Sequence, residues 1–313
     1  MSAADAVVIF GASGFIGRNI VDALAGRVGA LIGVTHRTAT VASCTAVTTI
    51  DRLDDVPPLP PETVVINAAA VRYDAGTFRA QQSEILDRNV RIANAVYAFC
   101  VARKISEVRL ASSVAVYPAD WPVLTDEKSV DLNDWPHAGE AAYAWSKRWA
   151  EICAEVHRRQ YGINTLIFRL SNPYGPYDST DPAAAHVAPA FVMRALAPGD
   201  TFEILGNANA ERDFVFAGDV AAAFAASLGR RGQSDAFNLG YGTTATIREL
   251  AEAALRAAGR EKRIVVSENA NPGVNVRRVT ASRLREAFAL PRFADLQRGL
   301  SLTTAWYREA LGL

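Results

Sequence analysis

The chain has 313 residues, half of them apolar, with 33 basic and 33 acidic side chains and a formal net charge of zero. That length can bury a substantial core in one large or two unequal domains. The balanced charge argues against a nucleic-acid stripe or an anionic membrane surface as the chain's partner.

Cys44, Cys100 and Cys153 are far apart and show neither metal-ligand spacing nor a disulfide framework. No metal site is expected, and a reducing cytoplasm fits best. No positively charged leader precedes the first apolar run, so a signal peptide is not expected. No apolar run approaches the roughly 20 residues that span a bilayer.

In chain order, Ala6-Val7-Val8-Ile9-Phe10 is a continuous apolar run ending in a glycine-rich turn. Such runs suit strands buried on both faces of a parallel sheet. Further strands are predicted at Ala30 to Val34, Val64 to Asn67, Val108 to Ala111 and Asn164 to Arg169. Helices are predicted between them, over Arg88 to Arg103, where Ile92, Val96, Phe99 and Cys100 recur at helical spacing, and over Ala141 to Tyr161. The alternation predicts an α/β chain, a Rossmann-type doubly wound parallel sheet. Pro57 to Pro61 reads as a surface loop. After Asn172 the pattern loosens. A helix over Asp219 to Leu228, a strand over Ala236 to Leu239 and a helix over Ile247 to Ala258 follow. The expected division is a dinucleotide-binding domain over 1–172, to which the chain returns around 214–240, and a smaller α+β substrate-binding lobe over 173–313.

Gly11-Ala12-Ser13-Gly14-Phe15-Ile16-Gly17 follows the first strand and opens a helix. Gly11 permits the tight turn, Gly14 lets the backbone approach a pyrophosphate, and Gly17 lets helix and strand pack. The helix N-terminus offers N–H donors and a positive dipole end to phosphates. An NAD enzyme usually carries Asp or Glu about twenty residues on. Here the residues are Thr35-His36-Arg37. Arg37 can pair with a 2′-phosphate, which favours NADP(H), with NAD(H) the alternative; the bland reading is a solvated loop residue. Asp51 could accept from the adenine amino group or be an ordinary surface acid. Asn67-Ala68-Ala69-Ala70 ends a strand in small side chains that let a cofactor lie flat.

Tyr143-Ala144-Trp145-Ser146-Lys147 places a phenol and an ammonium one turn apart on one helix face. The ordinary phenol pKa is about 10, and a nearby cation favours the phenolate. Ser112-Ser113-Val114-Ala115-Val116-Tyr117 follows a strand upstream. A hydroxyl there can hold the substrate oxygen that Tyr143 protonates.

With these motifs, and with Asn89-Val90, Arg169-Leu170-Ser171-Asn172-Pro173-Tyr174-Gly175-Pro176, Arg212-Asp213-Phe214-Val215 and Phe237-Asn238-Leu239-Gly240, the chain resembles the extended short-chain dehydrogenase/reductases, the nucleotide-sugar epimerase/dehydratase family. The resemblance covers nearly the whole length. It implies an NAD(P)-dependent enzyme acting on a nucleotide-diphosphate sugar. It implies that Ser113, Tyr143 and Lys147 are catalytic. It places cofactor contacts at Gly11, Ser13, Gly14, Phe15, Ile16, Gly17, Ala68, Ala69, Asn89, Tyr143, Lys147 and Pro173. Substrate contacts fall on Ser113, Asn172, Arg212 and one of Arg277 or Arg278, the arginines being otherwise surface ion pairs. Asn172 to Asp178, then Ala185 to Ala190, is similar to the GDP-fucose synthase branch, where the histidine matching His186 is an acid; the alternative is a histidine that positions a loop. That branch has a cysteine where this chain has Ala115, which has no proton to move, so double epimerisation is not expected.

The reading is thus an NADPH-dependent reductase of a nucleotide-linked 4-keto-6-deoxy sugar. The alternatives are a 4-epimerase and a non-catalytic cofactor sensor, which would typically lack the Tyr or Lys. A 4,6-dehydratase would need an acidic pair where Val114-Ala115 stands. Apolar residues on several faces of the two long helices, including Tyr97, Trp145 and Trp149, together with the resemblance, point to a homodimer through a four-helix bundle.

Overall fold

A computed structural model describes residues 4–37, 40–71, 81–119, 121, 124–128, 131–182, 184–267 and 276–313. Its first strand, β1 (Ala6–Phe10), is buried at every position. Val7 and Ile9 enter one apolar cluster, and Ala6, Val8 and Phe10 enter another. Successive strand residues face opposite ways, so an unbroken apolar run marks a sheet covered on both sides.

The chain continues through α1 (Phe15–Leu24), β2 (Ala30–Thr35), β3 (Ala46–Thr49), β4 (Thr63–Asn67), α2 (Gln82–Ala102) and β5 (Glu107–Ser113). After the short β6 (Leu124–Thr125) come α3 (Ala141–Tyr161), β7 (Asn164–Leu170), β8 (Asn172–Tyr174), α4 (Val187–Leu196), β9 (Thr201–Leu205) and β10 (Glu211–Arg212). Then follow β11 (Phe214–Phe216), α5 (Ala217–Ser227), β12 (Asp235–Leu239), β13 (Ala245–Thr246) and α6 (Ile247–Ala258). The last elements are β14 (Arg263–Ser267), β15 (Val276–Val279), α7 (Ser282–Ala287) and α8 (Leu296–Leu311).

Seven strands form one parallel sheet in the order β12-β7-β5-β4-β1-β2-β3. Ile20, Val21 and Leu24 of α1 and Val220 and Phe224 of α5 cover one face. Val96, Tyr97 and Phe99 of α2 and Cys153 and Ala154 of α3 cover the other. This is the expected Rossmann-type doubly wound sheet. Strand order reverses beside β1, where β4 lies on one side and β2 on the other. Such reversals open a crevice at the carboxyl ends of the strands.

A separate apolar cluster joins α4, α6 and α8 around Phe191, Phe202, Leu250, Leu300 and Tyr307. β8 and β11 pair in parallel, and so do β9 and β14. Helix α2 begins at Gln82, ahead of the expected Arg88. Its first turns carry Ser83, Glu84 and Asp87, so helical hydrophobic spacing is weak there. Among the described residues no helix is long and apolar enough to cross a membrane.

Candidate active site

Gly11 has φ +82°, and a Cβ on it would stand 2.7 Å from Ala69 Cα. A Cβ on Gly17 would stand 2.0 Å from Gly11 O. Both positions therefore exclude any side chain, and they draw β1, α1 and the end of β4 into one close turn. Gly14 is the N-cap of α1 and supplies no side chain to cap it. Ser13, Gly14, Phe15 and Ile16 line a cleft of about 1270 Å³ that runs over the carboxyl ends of the strands. Drug-sized pockets hold roughly 300–1,000 Å³, so this cleft has room for a dinucleotide and part of a second molecule. The bare turn, the uncapped helix start and the small Ala68, Ala69 and Ala70 in the wall fit a nicotinamide dinucleotide.

Thr35, His36 and Asp51 also line the cleft. Thr35 Oγ1 donates to Arg37 O at 2.6 Å, which pins the loop after β2. Arg37 lies exposed just beyond the lining. Asn89 is buried away from the cleft, and its Oδ1 accepts from Val71 N at 2.7 Å. It holds the chain that leaves the β4 end.

The reactive corner sits where β5 meets α3. Ser113 ends β5, and its Oγ accepts from Ala115 N at 3.1 Å. Ser113 and Tyr143 share a side-chain hydrogen bond. Burial pushes the Tyr143 phenol up to about 12, the Ser113 hydrogen bond opposes that, and the Glu140 charge adds to it. The sequence suggested that the Lys147 cation would favour the phenolate; here burial dominates and favours the neutral phenol. Lys147 Nζ lies 5.5 Å from the Tyr143 ring centroid and donates to Ala111 O at 2.8 Å. Burial pulls its ammonium down to about 8, against the Glu151 charge. Ser113, Tyr143 and Lys147 thus share one wall of the cleft.

Asn172, Pro173 and His186 line the same cleft. Asn172 Nδ2 donates to Asp213 O at 3.0 Å. His186 Nδ1 lies 3.2 Å from Asp178 Oδ2, whose side chain is fully buried. Arg212 does not line the cleft, and its Nη1 donates to Glu211 O at 2.8 Å. It pairs in register with Arg277, whose side chain lies outside what the structure describes. Glu140 and Arg88 are lining residues that motif reading missed, and Tyr177 and Asp178, inside a motif that was read, line it without having been assigned a role. Only spacing hinted at one of them: Glu140 precedes Tyr143 by one helical turn.

A family model described as NAD dependent epimerase/dehydratase family matches residues 7–240. The chain belongs to that family. Two relatives carry the name dTDP-4-dehydro-6-deoxy-D-allose reductase. One, from Streptomyces sp, is 30% identical over 244 residues, covering 78% of this chain and 74% of that one. The other, from Streptomyces bikiniensis, is 28% identical over 318 residues, covering 97% and 96%. A solved UDP-glucose 4-epimerase from Thermotoga maritima, with UDP-glucose, superimposes with a TM-score of 0.82 at 22% identity, covering 98% of this chain and 99% of that one. That likeness concerns the fold. The epimerase/dehydratase family membership bears out the sequence expectation of a nicotinamide-dependent enzyme of nucleotide sugars.

Proposed function

We propose that the protein is an NADPH-dependent reductase of a nucleotide-linked 4-keto-6-deoxy sugar. The observation that carries the reading is the convergence of Ser113, Tyr143 and Lys147 on one wall of the cleft, with Lys147 Nζ 5.5 Å from the phenol ring centroid. The names of both Streptomyces relatives support the substrate class.

When bound, the nicotinamide supplies the hydride. The chain's own residues supply the rest. Ser113 Oγ holds the C4 carbonyl oxygen by donating to it. Tyr143 Oη gives its proton to that oxygen as charge develops there. The Lys147 ammonium, one turn on, favours the phenolate left behind. Asn172 and His186 face the sugar. Arg212, with Arg277, takes the nucleotide end. The boundary at Asn172 separates the two duties, with the cofactor held by 1–172 and the sugar nucleotide largely by 173–313.

NADPH preference rests on Thr35-His36-Arg37, where no carboxylate stands at the end of β2. NADPH is expected to bind at least tenfold tighter than NADH, about 1.4 kcal/mol, and Arg37→Ala should erase that margin. Titrating both cofactors and then assaying a panel of nucleotide-linked 4-keto sugars tests the reading. NADH binding tenfold better, or turnover without added cofactor, would put a 4-epimerase first.

A homodimer in the cytoplasm completes the reading. Trp149, Ile152 and Val156 are 40%, 51% and 49% exposed along one face of α3. Tyr97 is instead fully buried and bonded to Thr165 Oγ1, and Trp145 packs on Trp135. The apolar face free to pair is therefore narrower than the sequence suggested. Sedimentation should show a dimer, and Ile152→Glu should yield monomers; a monomeric wild type would refute the pairing.

A further inference from the structure

We propose that Glu151 is a positioning residue for this reaction, the countercharge that keeps Lys147 an ammonium and clamps the reactive end of β5. The inference rests on the reading of Lys147 as the partner of Tyr143.

Tyr143, Lys147 and Glu151 follow one another at intervals of a helical turn along α3. They meet three consecutive residues of β5. Lys147 Nζ donates to Ala111 O at 2.8 Å, and Ser112 Oγ donates to Glu151 Oε1 at 2.6 Å. Tyr143 and Ser113 share the third hydrogen bond. The helix therefore grips the carboxyl end of the strand, and Glu151 supplies one of the three holds.

Glu151 is itself fixed from behind. Arg169 of β7 donates to it through two nitrogens, Nε to Oε1 at 3.1 Å and Nη2 to Oε2 at 2.8 Å. The two side chains are 6% and 10% exposed. Arg169 Nη1 donates to Tyr117 OH at 3.1 Å, and Tyr117 OH donates to Asn238 Oδ1 at 2.6 Å. A bidentate guanidinium–carboxylate pair holds its geometry far better than a single contact.

The charge logic follows from that geometry. Lys147 is buried and spends its hydrogen bond on a neutral carbonyl. From its own helix it faces Tyr143 and Glu151, and β5 offers only the Ser112 and Ser113 hydroxyls and the Ala111 carbonyl. Arg169 of β7 reaches it only from behind Glu151. Glu151 is thus the anion acting on an ammonium that desolvation would neutralise.

The lysines are Lys104, Lys128, Lys147 and Lys262, so a lysine-labelled sample gives a short set of side-chain NMR signals. We expect the Lys147 titration in Glu151→Gln to fall by about one pH unit, and the alkaline limb of kcat to move with it while KM for the nucleotide sugar holds. Glu151→Asp keeps the charge but withdraws it, so its titration should lie between the two. Ser112→Ala removes a clamp and no charge, so Lys147 should titrate as in the wild type. Equal titration in Glu151→Gln and the wild type overturns the proposal. If Glu151→Gln fails to fold, a Glu151→Asp titration no lower than wild type does so. The titration needs no substrate, so it stands apart from any failure to find the sugar.

Discussion

Tyr143→Phe lowers kcat and kcat/KM together by about 10²- to 10⁴-fold while dinucleotide binding survives. That is the range a positioned acid contributes. Equal loss in both constants marks an interaction made only in the transition state. The phenol ring remains in the variant, so the cleft wall and the packing beside Lys147 are kept. Only the donor to O4 is lost, along with the hydrogen bond to Ser113. Nicotinamide oxidation in the presence of a 4-keto sugar nucleotide measures the rate, and cofactor quenching of tryptophan fluorescence measures binding. A variant with undiminished kcat would remove Tyr143 from the chemistry.

The pH dependence has a definite sign. Tyr143 is pushed up to about 12 by burial and stays protonated at neutral pH. That state suits an acid, which a reductase requires. Lys147, pulled down to about 8 by burial, is charged below that pH and loses its charge as pH rises through it. Activity therefore holds on the acid side and falls along an alkaline limb.

The residues that must take one backbone or chemical form were legible in the sequence. Gly11 and Gly17 admit no side chain, and the all-apolar Ala6–Phe10 suits only a doubly covered strand, so the turn and the sheet class could be read directly. Tyr143 and Lys147 could be read because spacing along one helix puts them on one face, and the resemblance to the family picked Ser113 from the Ser112-Ser113 pair. Glu151 and Arg169 were harder. Their roles depend on β5, α3 and β7 converging, and no local periodicity encodes a contact between separate elements. Arg212 lies on a short strand whose pairing is set by tertiary packing, so its place outside the cleft lining could not be foreseen. Tyr97 looked like an interface residue and is a core residue, because its hydroxyl finds Thr165 inside the sheet.

Arg109→Ala is expected to destabilise the fold by about 3–5 kcal/mol, the cost of breaking a buried ion pair. Arg109 and Glu107 lie two apart on β5 and so face the same way. Their side chains are 0% and 3% exposed and meet at 2.9 Å. The guanidinium also donates to Ser227 O through Nε at 3.2 Å and Nη2 at 3.0 Å, and to Arg230 O at 2.6 Å. Helix α5 ends at Ser227, where carbonyls lack helical partners and the dipole is negative. Glu107 Oε1 in turn accepts from Gly232 N at 2.7 Å. Alanine would strand a buried carboxylate and several carbonyls at once. Urea unfolding should show a lower midpoint with an unchanged slope, and a loss under 1 kcal/mol would contradict the argument. The pair lies at the opposite end of β5 from Ser113, so kcat per folded molecule should hold. One strand thus carries chemistry at its carboxyl end and stability at its amino end, and the two substitutions Tyr143→Phe and Arg109→Ala separate them.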